Sequence, residues 1–158
     1  YAHGNEPSHH TTYMYAYSGE HYKIADKVRY INNELYTDQP NGLSGNEDCG
    51  QMSAWYILSS MGFYPVNPSN GAYVFGSPLF DEVVLDIPGQ KQFKISAKSN
   101  SDENIYIQSV SLNGEDYKYS YITHKEILNG GELEFTMGVK PNKNFGKEKK
   151  YRPESIVY

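Results

Sequence analysis

Apolar side chains recur at helical spacing in the first part of the chain. Between Thr11 and Leu35 they stand three, four or seven residues apart, as one face of a helix presents them. Gly19 lowers helix propensity in the middle of this stretch, so the pattern predicts two helices, over about 11–18 and 21–36. The segment that follows, TDQPNGLSG, consists of turn-forming residues throughout.

A third helix is predicted over residues 48–61. Asp48 and Gln51 have the spacing of a capping box at its start, and Gly62 follows its end. Its apolar residues cover most of the helix circumference, so we expect nearly all of it to be buried. Three such helices cannot close a core among themselves, and we expect them to complete a larger helical domain. The abrupt start at Tyr1, inside a motif-like stretch, also indicates a piece of a longer protein.

Beyond Gly71 the periodicity changes from helical to strand-like. Short apolar or alternating runs are bounded by turn residues and recur about every ten positions, which favours an antiparallel sandwich. The predicted strands cover residues 72–76, 82–87, 92–98, 104–114 and 132–138. The predicted fold class is therefore α+β, with a helical portion over 1–65 and a β-sandwich segment with a C-terminal tail over 72–158.

Charge and composition exclude several classes of function. With a formal net charge of −5, the chain lacks the clustered basic face that nucleic-acid phosphates require. The one basic run, NKNFGKEKKYR, is interspersed with Gly, Asn and Glu and is typical of a solvated tail or an edge strand. No stretch approaches the roughly twenty apolar residues of a membrane span. The sixteen tyrosines suit either a β-rich core or a surface that stacks on sugars.

The segment GLSGNEDCGQ places three polar side chains on one tight loop before the third predicted helix. Asn46, Glu47 and Asp48 lie between two glycines. A helix cap explains one carboxylate there, because a capping side chain accepts backbone N–H bonds. It does not explain two, because neighbouring carboxylates repel each other and compete for the same donors. An ionised carboxylate at a helix start is suited to deprotonate water or to bind a divalent cation.

The segment HGNEPSHH places two oxygen ligands beside three imidazoles. Asn5 and Glu6 precede a proline, where they would also be ordinary turn residues. Their oxygen atoms suit calcium or magnesium, whereas His3, His9 and His10 suggest zinc. The spacing matches neither an HExxH motif nor a Cys/His finger, so oxygen coordination or direct hydrogen bonding to a sugar is favoured.

Other catalytic schemes have weaker support. The chain contains no G-x-S-x-G elbow and no phosphate-binding loop. Its one cysteine, Cys49, excludes an internal disulfide framework. Cys49 could act as a nucleophile with His9 or His10 as its base, because a helix N-terminus activates a thiol. The more common case is a small buried cysteine at a helix start.

Five sequence blocks occur along the chain in a fixed order: HGNEPSHH, GNEDCGQMSAWY, MGFYPV, GSPLFDEV and GGELEFTMG. Together they closely resemble the C-terminal part of the calcium-dependent exo-α-mannosidases, family 92 of the glycoside hydrolases. The resemblance implies an N-terminal β-sandwich, then an (α/α)6 barrel, with the active site between them. Residues 1–65 would be the last barrel helices, and residues 72–146 would pack back against the N-terminal part of the same protein.

The resemblance implies one catalytic half in this chain. Asp48 matches the family's general base, which activates water on the face opposite the leaving group of an inverting enzyme. Asn46 occupies a second catalytic position, where some members carry aspartate. The family's general acid lies upstream of the HGNEP block, so we expect it to be absent here and the isolated fragment to be inactive.

The resemblance also implies a ligand set. Asn5 and Glu6 match the block associated with Ca²⁺, and His3, His9 and His10 lie where contacts with the sugar are expected. The substrate would be terminal α-linked mannose of a glycan, as in N-glycan degradation. The enzyme would be secreted or periplasmic and of bacterial type.

Two functions of other classes remain open from the sequence. A non-catalytic carbohydrate-binding or accessory β-domain would use the tyrosines to stack on sugars. A structural scaffold without a ligand would leave the crowded side chains of Asn46, Glu47 and Asp48 unexplained.

Overall fold

A computed structural model describes residues 1–155 of the chain, and its first part is helical. Three α-helices are α1 (Tyr15–Ser18), α2 (Lys23–Glu34) and α3 (Gln51–Met61). Short 3₁₀ turns cover Glu6–Ser8, Thr11–Tyr13 and Asp48–Gly50. The predicted helix over 21–36 is confirmed as α2, whereas the one over 11–18 is a 3₁₀ turn followed by a single α-helical turn. Across residues 1–155 no helix has the length and apolar character needed to cross a bilayer.

Within residues 63–155 the second part contains eight strands, one further α-helix and two 3₁₀ turns, Pro68–Asn70 and Lys149–Tyr151. The strands are β1 (Phe63–Asn67), β2 (Ala72–Phe75), β3 (Glu82–Ile87), β4 (Lys91–Lys98), β5 (Tyr106–Leu112), β6 (Glu115–Asp116), β7 (Tyr121–Thr123) and β8 (Gly131–Gly138), and α4 (His124–Asn129) lies before β8. All five predicted strands are present. Sequence reasoning missed β1, because Pro65 lies inside it, and β6 and β7, which are too short to show a period.

The strands form two sheets. A three-stranded antiparallel sheet has the order β1-β2-β7, and a five-stranded sheet has the order β3-β4-β8-β5-β6. One pairing corrects the expected all-antiparallel arrangement: β8 runs parallel to β4, from the Phe93–Gly131 pair to the Lys98–Thr136 pair. A parallel pair needs a long crossover connection, and here β5, β6, β7 and α4 provide it.

The three-stranded sheet is the middle layer of three. Successive side chains of a strand point to opposite faces, so Val74 and Phe75 of β2 enter different cores. Val74, paired with Tyr64, packs against the helices, whereas Phe75, paired with Phe63, packs against the five-stranded sheet. Edge-to-face contact between Phe75 and Phe135 of β8, with ring centroids 5.1 Å apart, belongs to this second core.

The helical layer is organised around Trp55, which is completely buried. Ile24, Val28 and Ile31 of α2 lie on the predicted apolar face and are buried with it. Replacing such a tryptophan by alanine costs about 3–5 kcal/mol, because the neighbouring side chains refill the cavity only in part. The prediction that α3 is buried on nearly all sides is wrong on one side, where Ile57 is 55% exposed.

Arg29 of α2 ties the helices to the loop that follows β2. Its guanidinium donates to the Ser77 hydroxyl at 3.0 Å, to the Pro78 carbonyl at 2.5 Å and to the Asn100 side-chain oxygen. Burial lowers the pKa of Arg29 from its ordinary value, and the nearby Asp102 and Asp81 act in the opposite direction. The hydrogen bonds and the two carboxylates together offset the cost of burying this cation.

The basic run near the C-terminus is partly tied down. Its lysines are exposed, as expected of a solvated tail, but Phe145 packs against the sheet core. Arg152 donates to the carbonyl of Lys147 at 3.1 Å and to the carbonyl of Tyr17 at 3.4 Å. Residues 156–158, the end of the predicted 72–158 segment, lie outside the described residues.

Candidate active site

The two polar loops singled out in the sequence touch each other through glycine. A Cβ atom placed on Gly4 would lie 2.6 Å from the carbonyl oxygen of Ser44, and one placed on Gly45 would lie 2.7 Å from the Cα of Gly4. Both distances are well inside van der Waals contact, so the two backbones approach as closely as only glycine permits. The contact brings the Asn5 loop and the Asp48 loop together, although more than forty residues separate them in sequence.

Asn5 and Glu6 lie at the start of the first 3₁₀ turn. The turn is closed by a bond from the His9 amide to the Glu6 carbonyl at 3.0 Å, and the Ser8 hydroxyl donates to the Asn5 carbonyl at 2.8 Å. The Asn5 side chain is exposed. One carboxylate oxygen of Glu6, Oε1, is buried and has no hydrogen-bond partner among the described residues. Such an oxygen is costly unless a cation or a donor satisfies it.

The neighbouring carboxylates Glu47 and Asp48 have different surroundings. Glu47 accepts the backbone N–H of Ser53 at 3.1 Å and also the Ser53 hydroxyl. Both bonds lower the pKa of Glu47, and the bond from the Ser53 hydroxyl has the larger effect. Asp48 and Asn46 are exposed and make no side-chain hydrogen bond within residues 1–155.

The predicted capping box is therefore wrong, since Glu47 rather than Asp48 accepts from the first turn of α3. Cys49 and Gly50 adopt positive φ angles of 54° and 80°, which break the helical path between Asp48 and α3. The spacing rule assumes a continuous helix, and this local reversal removes that assumption. Asp48, the candidate base, therefore stays exposed at the surface, while its neighbour Glu47 makes the hydrogen bonds to Ser53.

His3 and His9 are stacked inside the protein, with ring centroids 4.5 Å apart. They are 3% and 1% exposed, whereas His10 is exposed to solvent. The Trp55 ring meets His3 edge-on at 4.5 Å, and its indole N–H donates to the His9 carbonyl at 3.1 Å. Of the three histidines expected to contact sugar, only His10 presents an exposed side chain here.

The tautomer of His3 follows from its partners. The Tyr36 hydroxyl donates its one proton to the Met52 carbonyl at 2.9 Å, so it accepts from His3 Nε2 at 2.6 Å. His3 Nδ1 then accepts from the Tyr1 hydroxyl at 2.7 Å. Burial, followed by the neighbouring His9, lowers the pKa of His3 to about 4, so the ring is neutral in this arrangement.

The tautomer of His9 is fixed in the same way. Its Nε2 faces the His3 carbonyl at 2.8 Å, and because a carbonyl only accepts, Nε2 carries the proton. Nδ1 of the neutral ring is the acceptor for the Gln51 amide at 3.1 Å. Burial lowers the pKa of His9, although the bond to His3 and the nearby Glu6 oppose that shift. Both ring nitrogens of His3 and both of His9 are thus hydrogen-bonded to protein groups.

An open cavity of about 550 Å³ adjoins the contact between the loops. Asn5 and Ser44 line it from the two loops, and Tyr30 and Leu35 line it from the end of α2. Glu6 and Asp48 do not line it. A larger hollow of about 780 Å³ lies near Arg152, away from every predicted site residue.

The oxygen ligands predicted for calcium form only part of a coordination sphere. Calcium takes six to eight oxygens, and residues 1–155 contain no group of three His, Cys, Asp or Glu side chains arranged to bind a metal ion. The amide of Asn5 and the unsatisfied, buried Glu6 Oε1 nevertheless have the hard-donor chemistry that calcium prefers. The residues present fit one side of such a site.

Cys49 is exposed, which contradicts the expectation of a small buried cysteine. Its backbone lies in the left-handed region, where a side chain is strained. His9, one of its two candidate bases, has both ring nitrogens occupied. The geometry therefore does not favour a cysteine nucleophile paired with His9.

Several residues that shape this region were not predicted to belong to it. Gln51, Tyr36 and Trp55 hold His3 and His9 through hydrogen bonds that cross from one segment to another. Gln51 and Trp55 lie within the block GNEDCGQMSAWY, whereas Tyr36 lies outside both motifs and has no such signal. Ser53, six residues after Glu47, lies outside the usual capping spacing.

Comparisons with known proteins identify the family of the chain. The family model for the glycosyl hydrolase family 92 catalytic domain matches residues 1–139. A family 92 α-mannosidase from Bacteroides thetaiotaomicron has a solved structure that superposes with a TM-score of 0.93 at 40% identity, over 99% of this chain and 21% of that one. A family 92 inverting mannosidase from B. thetaiotaomicron VPI-5482 superposes with a TM-score of 0.92 at 42% identity, over 98% of this chain and 21% of that one.

A curated relative points the same way. An uncharacterised secreted glycosidase from Arthroderma benhamiae is 33% identical over 156 residues, which cover 97% of this chain and 20% of that protein. These likenesses place the chain among the glycoside hydrolases. It belongs to family 92 of that class. The chain spans about a fifth of the length of the relatives it matches.

Proposed function

We propose that this chain is part of an inverting, calcium-dependent glycosidase that removes terminal α-linked mannose from glycans. The observation that carries the proposal is the contact of Gly4 with Gly45, which sets oxygen ligands and an exposed carboxylate on adjoining loops. Two of the structural relatives are described as an α-mannosidase and an inverting mannosidase, which supports mannose as the sugar.

In this proposal Asp48 is the general base. Its exposed side chain has no protein partner within residues 1–155, so its oxygens are available to a water molecule. An inverting glycosidase needs such a base on the face of the sugar opposite the leaving group. Asn46, two residues earlier, would orient the same water through its amide.

Asn5 and Glu6 would hold the calcium ion from one side. When bound, the ion would supply positive charge and oxygen coordination for sugar hydroxyls. The chain's own contribution is the placement of Glu6 Oε1, a buried carboxylate oxygen that requires such a partner. His10 is the histidine available for contact with the sugar, since His3 and His9 are buried.

The rest of the site would come from the remainder of the same protein. The general acid lies outside this chain, and the exposed side of α3 around Ile57 would pack against further barrel helices. The fragment alone would therefore be inactive. We also propose secretion, as in the relative described as a secreted glycosidase.

The test is hydrolysis of an aryl α-mannoside and of a mannobiose by the full-length protein. Proton NMR of the first product formed should show the anomer opposite to the substrate. Thorough treatment with a chelator should abolish turnover, and added calcium should restore it. Turnover that persists without calcium, or a product with retained configuration, would refute the corresponding part of the proposal.

A further inference from the structure

Gln51, the first residue of α3, is bonded to both polar loops at once. Its backbone N–H donates to the Asp48 carbonyl and closes the 3₁₀ turn that carries this carboxylate. Its side-chain amide donates to His9 Nδ1 at 3.1 Å. The His9 backbone N–H in turn donates to the Glu6 carbonyl at 3.0 Å. A continuous path of three hydrogen bonds therefore joins Asp48 to Glu6 through Gln51.

The amide of Gln51 is suited to this position by its two protons. One goes to His9 Nδ1, and the other goes to the Tyr64 hydroxyl at 2.9 Å. His9 Nδ1 is an acceptor because the other ring nitrogen donates to a carbonyl. A carboxylate in place of the amide would have no proton to offer a neutral ring, and an apolar side chain would offer none either.

We propose that Gln51 is a positioning residue that sets the separation between the base loop and the loop of Asn5 and Glu6. The inference rests on the proposed function. Gln51 contacts neither the substrate nor the metal in this arrangement, because both of its amide protons are used inside the protein. Its effect on the reaction is exerted through the placement of Asp48 relative to Glu6.

This role predicts a specific kinetic signature. The sugar and the metal would be held by the Asn5 and Glu6 side, which keeps its own local bonds when Gln51 is changed. The attacking water is oriented by Asp48, and a small misplacement of a reacting group slows the chemical step strongly. Loss of the Gln51 bonds should therefore lower kcat and leave KM nearly constant.

The first experiment compares Gln51→Met with wild type in the full-length enzyme. We expect kcat to fall by about ten- to a hundredfold and KM to stay within about threefold, while Tm falls because the buried His9 Nδ1 loses its donor. Calcium affinity, measured by calorimetry, should stay within about threefold, since the metal ligands are untouched. Gln92→Met is the matched control, because Gln92 is exposed on β4 and its side chain bonds to Asp86, at 3.1 Å, and to no other group within residues 1–155.

The second experiment tests the path through Tyr64. Tyr64→Phe removes the hydroxyl that accepts the other amide proton and keeps the ring that stacks on Tyr13. We expect a smaller fall in kcat than for Gln51→Met, again at constant KM. The double variant should have the kcat of Gln51→Met alone, because Tyr64 acts through Gln51. If Gln51→Met does not fold, an unchanged kcat in Tyr64→Phe overturns the inference.

The outcomes separate this inference from the proposed function. A wild-type protein without mannosidase activity refutes the proposed function. An active wild type with full kcat in Gln51→Met refutes the positioning role alone. KM rising in step with the loss of kcat, or a collapse of calcium affinity, would show that Gln51 acts on the ligands themselves and would also refute it.

Discussion

The carboxylate of Glu47 accepts the backbone N–H of Ser53 at 3.1 Å and so closes the first turn of α3. This bond distinguishes the two adjacent carboxylates, Glu47 and Asp48. Glu47 stabilises the helix start, and Asp48 is left at the surface beside the loop of Asn5 and Glu6. The two carboxylates lie in different environments, and this reduces the repulsion between them. The sequence pattern alone had suggested that such a pair is incompatible with simple helix capping.

Asp48→Asn should lower kcat by about a hundred- to ten-thousandfold, the usual effect of losing a general base. Its side chain is exposed and makes no bond within residues 1–155, so Tm should not change. Steady-state kinetics and thermal melts of the full-length protein give both quantities. Asp86→Asn, the same exchange at an exposed position of β3, serves as the control. A large loss of kcat in Glu47→Gln together with normal turnover in Asp48→Asn would reverse the assignment.

Gly45→Ala should reduce kcat/KM by at least about tenfold. The added methyl would lie 2.7 Å from the Cα of Gly4, and a backbone atom cannot move aside without shifting the loop of Asn5 and Glu6. The comparison is Gly89→Ala in the turn between β3 and β4, where φ is +88° and no atom lies within 4 Å. That variant should lose about 1–2 kcal/mol of stability from backbone strain and keep its activity. Equal activities for the two variants would contradict the importance of the loop contact.

Arg29→Met should destabilise the protein by about 2–4 kcal/mol, because it leaves several buried acceptors without a donor. The acceptors are the oxygens of Ser77, Pro78 and Asn100. Arg29→Lys should restore only part of the loss, since one ammonium cannot reproduce the planar fork of the guanidinium. Denaturant midpoints measure the effect. Lys27→Met, at an exposed position of the same helix, should cost less than about 1 kcal/mol, and a similar cost for both would argue against the role of Arg29.

His21 should make the protein sensitive to acid. Its Nε2 donates to the Phe75 carbonyl at 2.9 Å, and burial lowers the pKa of His21 from 6.5 to about 4. The unfolded chain therefore binds a proton below pH 6.5 that the folded chain takes up only near pH 4, so stability is lost as pH falls through this window.

His21→Gln keeps an amide donor for the same carbonyl and removes the titrating ring. Its stability relative to wild type should increase by about 1.4 kcal/mol for each pH unit from 6.5 down to 4. Unfolding free energies measured at several pH values show the slope. His124→Gln, the same exchange at an exposed position, serves as the control. Parallel curves for wild type and His21→Gln would show that His21 does not titrate in this way.

Local pattern predicted much of the fold, and contacts between distant segments account for the rest. The face of α2 that contains Ile24, Val28 and Ile31 is visible in the spacing of those residues, because a helix repeats every 3.6 residues. The parallel pairing of β4 with β8 is not visible, since no local rule says which strands become neighbours. Pro65 hid β1 for a related reason, because an edge strand tolerates proline where a central strand does not.

The candidate site shows the same division. The polar residues of the two loops were visible as clusters, and their glycines allowed a close approach. Burial of His3 and His9 was not visible, because it depends on Trp55 and Tyr36, which arrive from other segments. The roles of Asn5, Glu6 and Asp48 in binding and catalysis stay predictions that the experiments above address.

Strand β2 is only four residues long, yet Val74 belongs to one hydrophobic core and Phe75 to the other. The helices and the five-stranded sheet therefore pack on opposite faces of the same strand and cannot unfold independently. The change of sequence pattern suggests a domain boundary near residue 66. Dividing the chain there would separate β2 from the helices and expose apolar side chains of both cores. We expect a single cooperative melting transition in which the two polar loops and the five-stranded sheet unfold together.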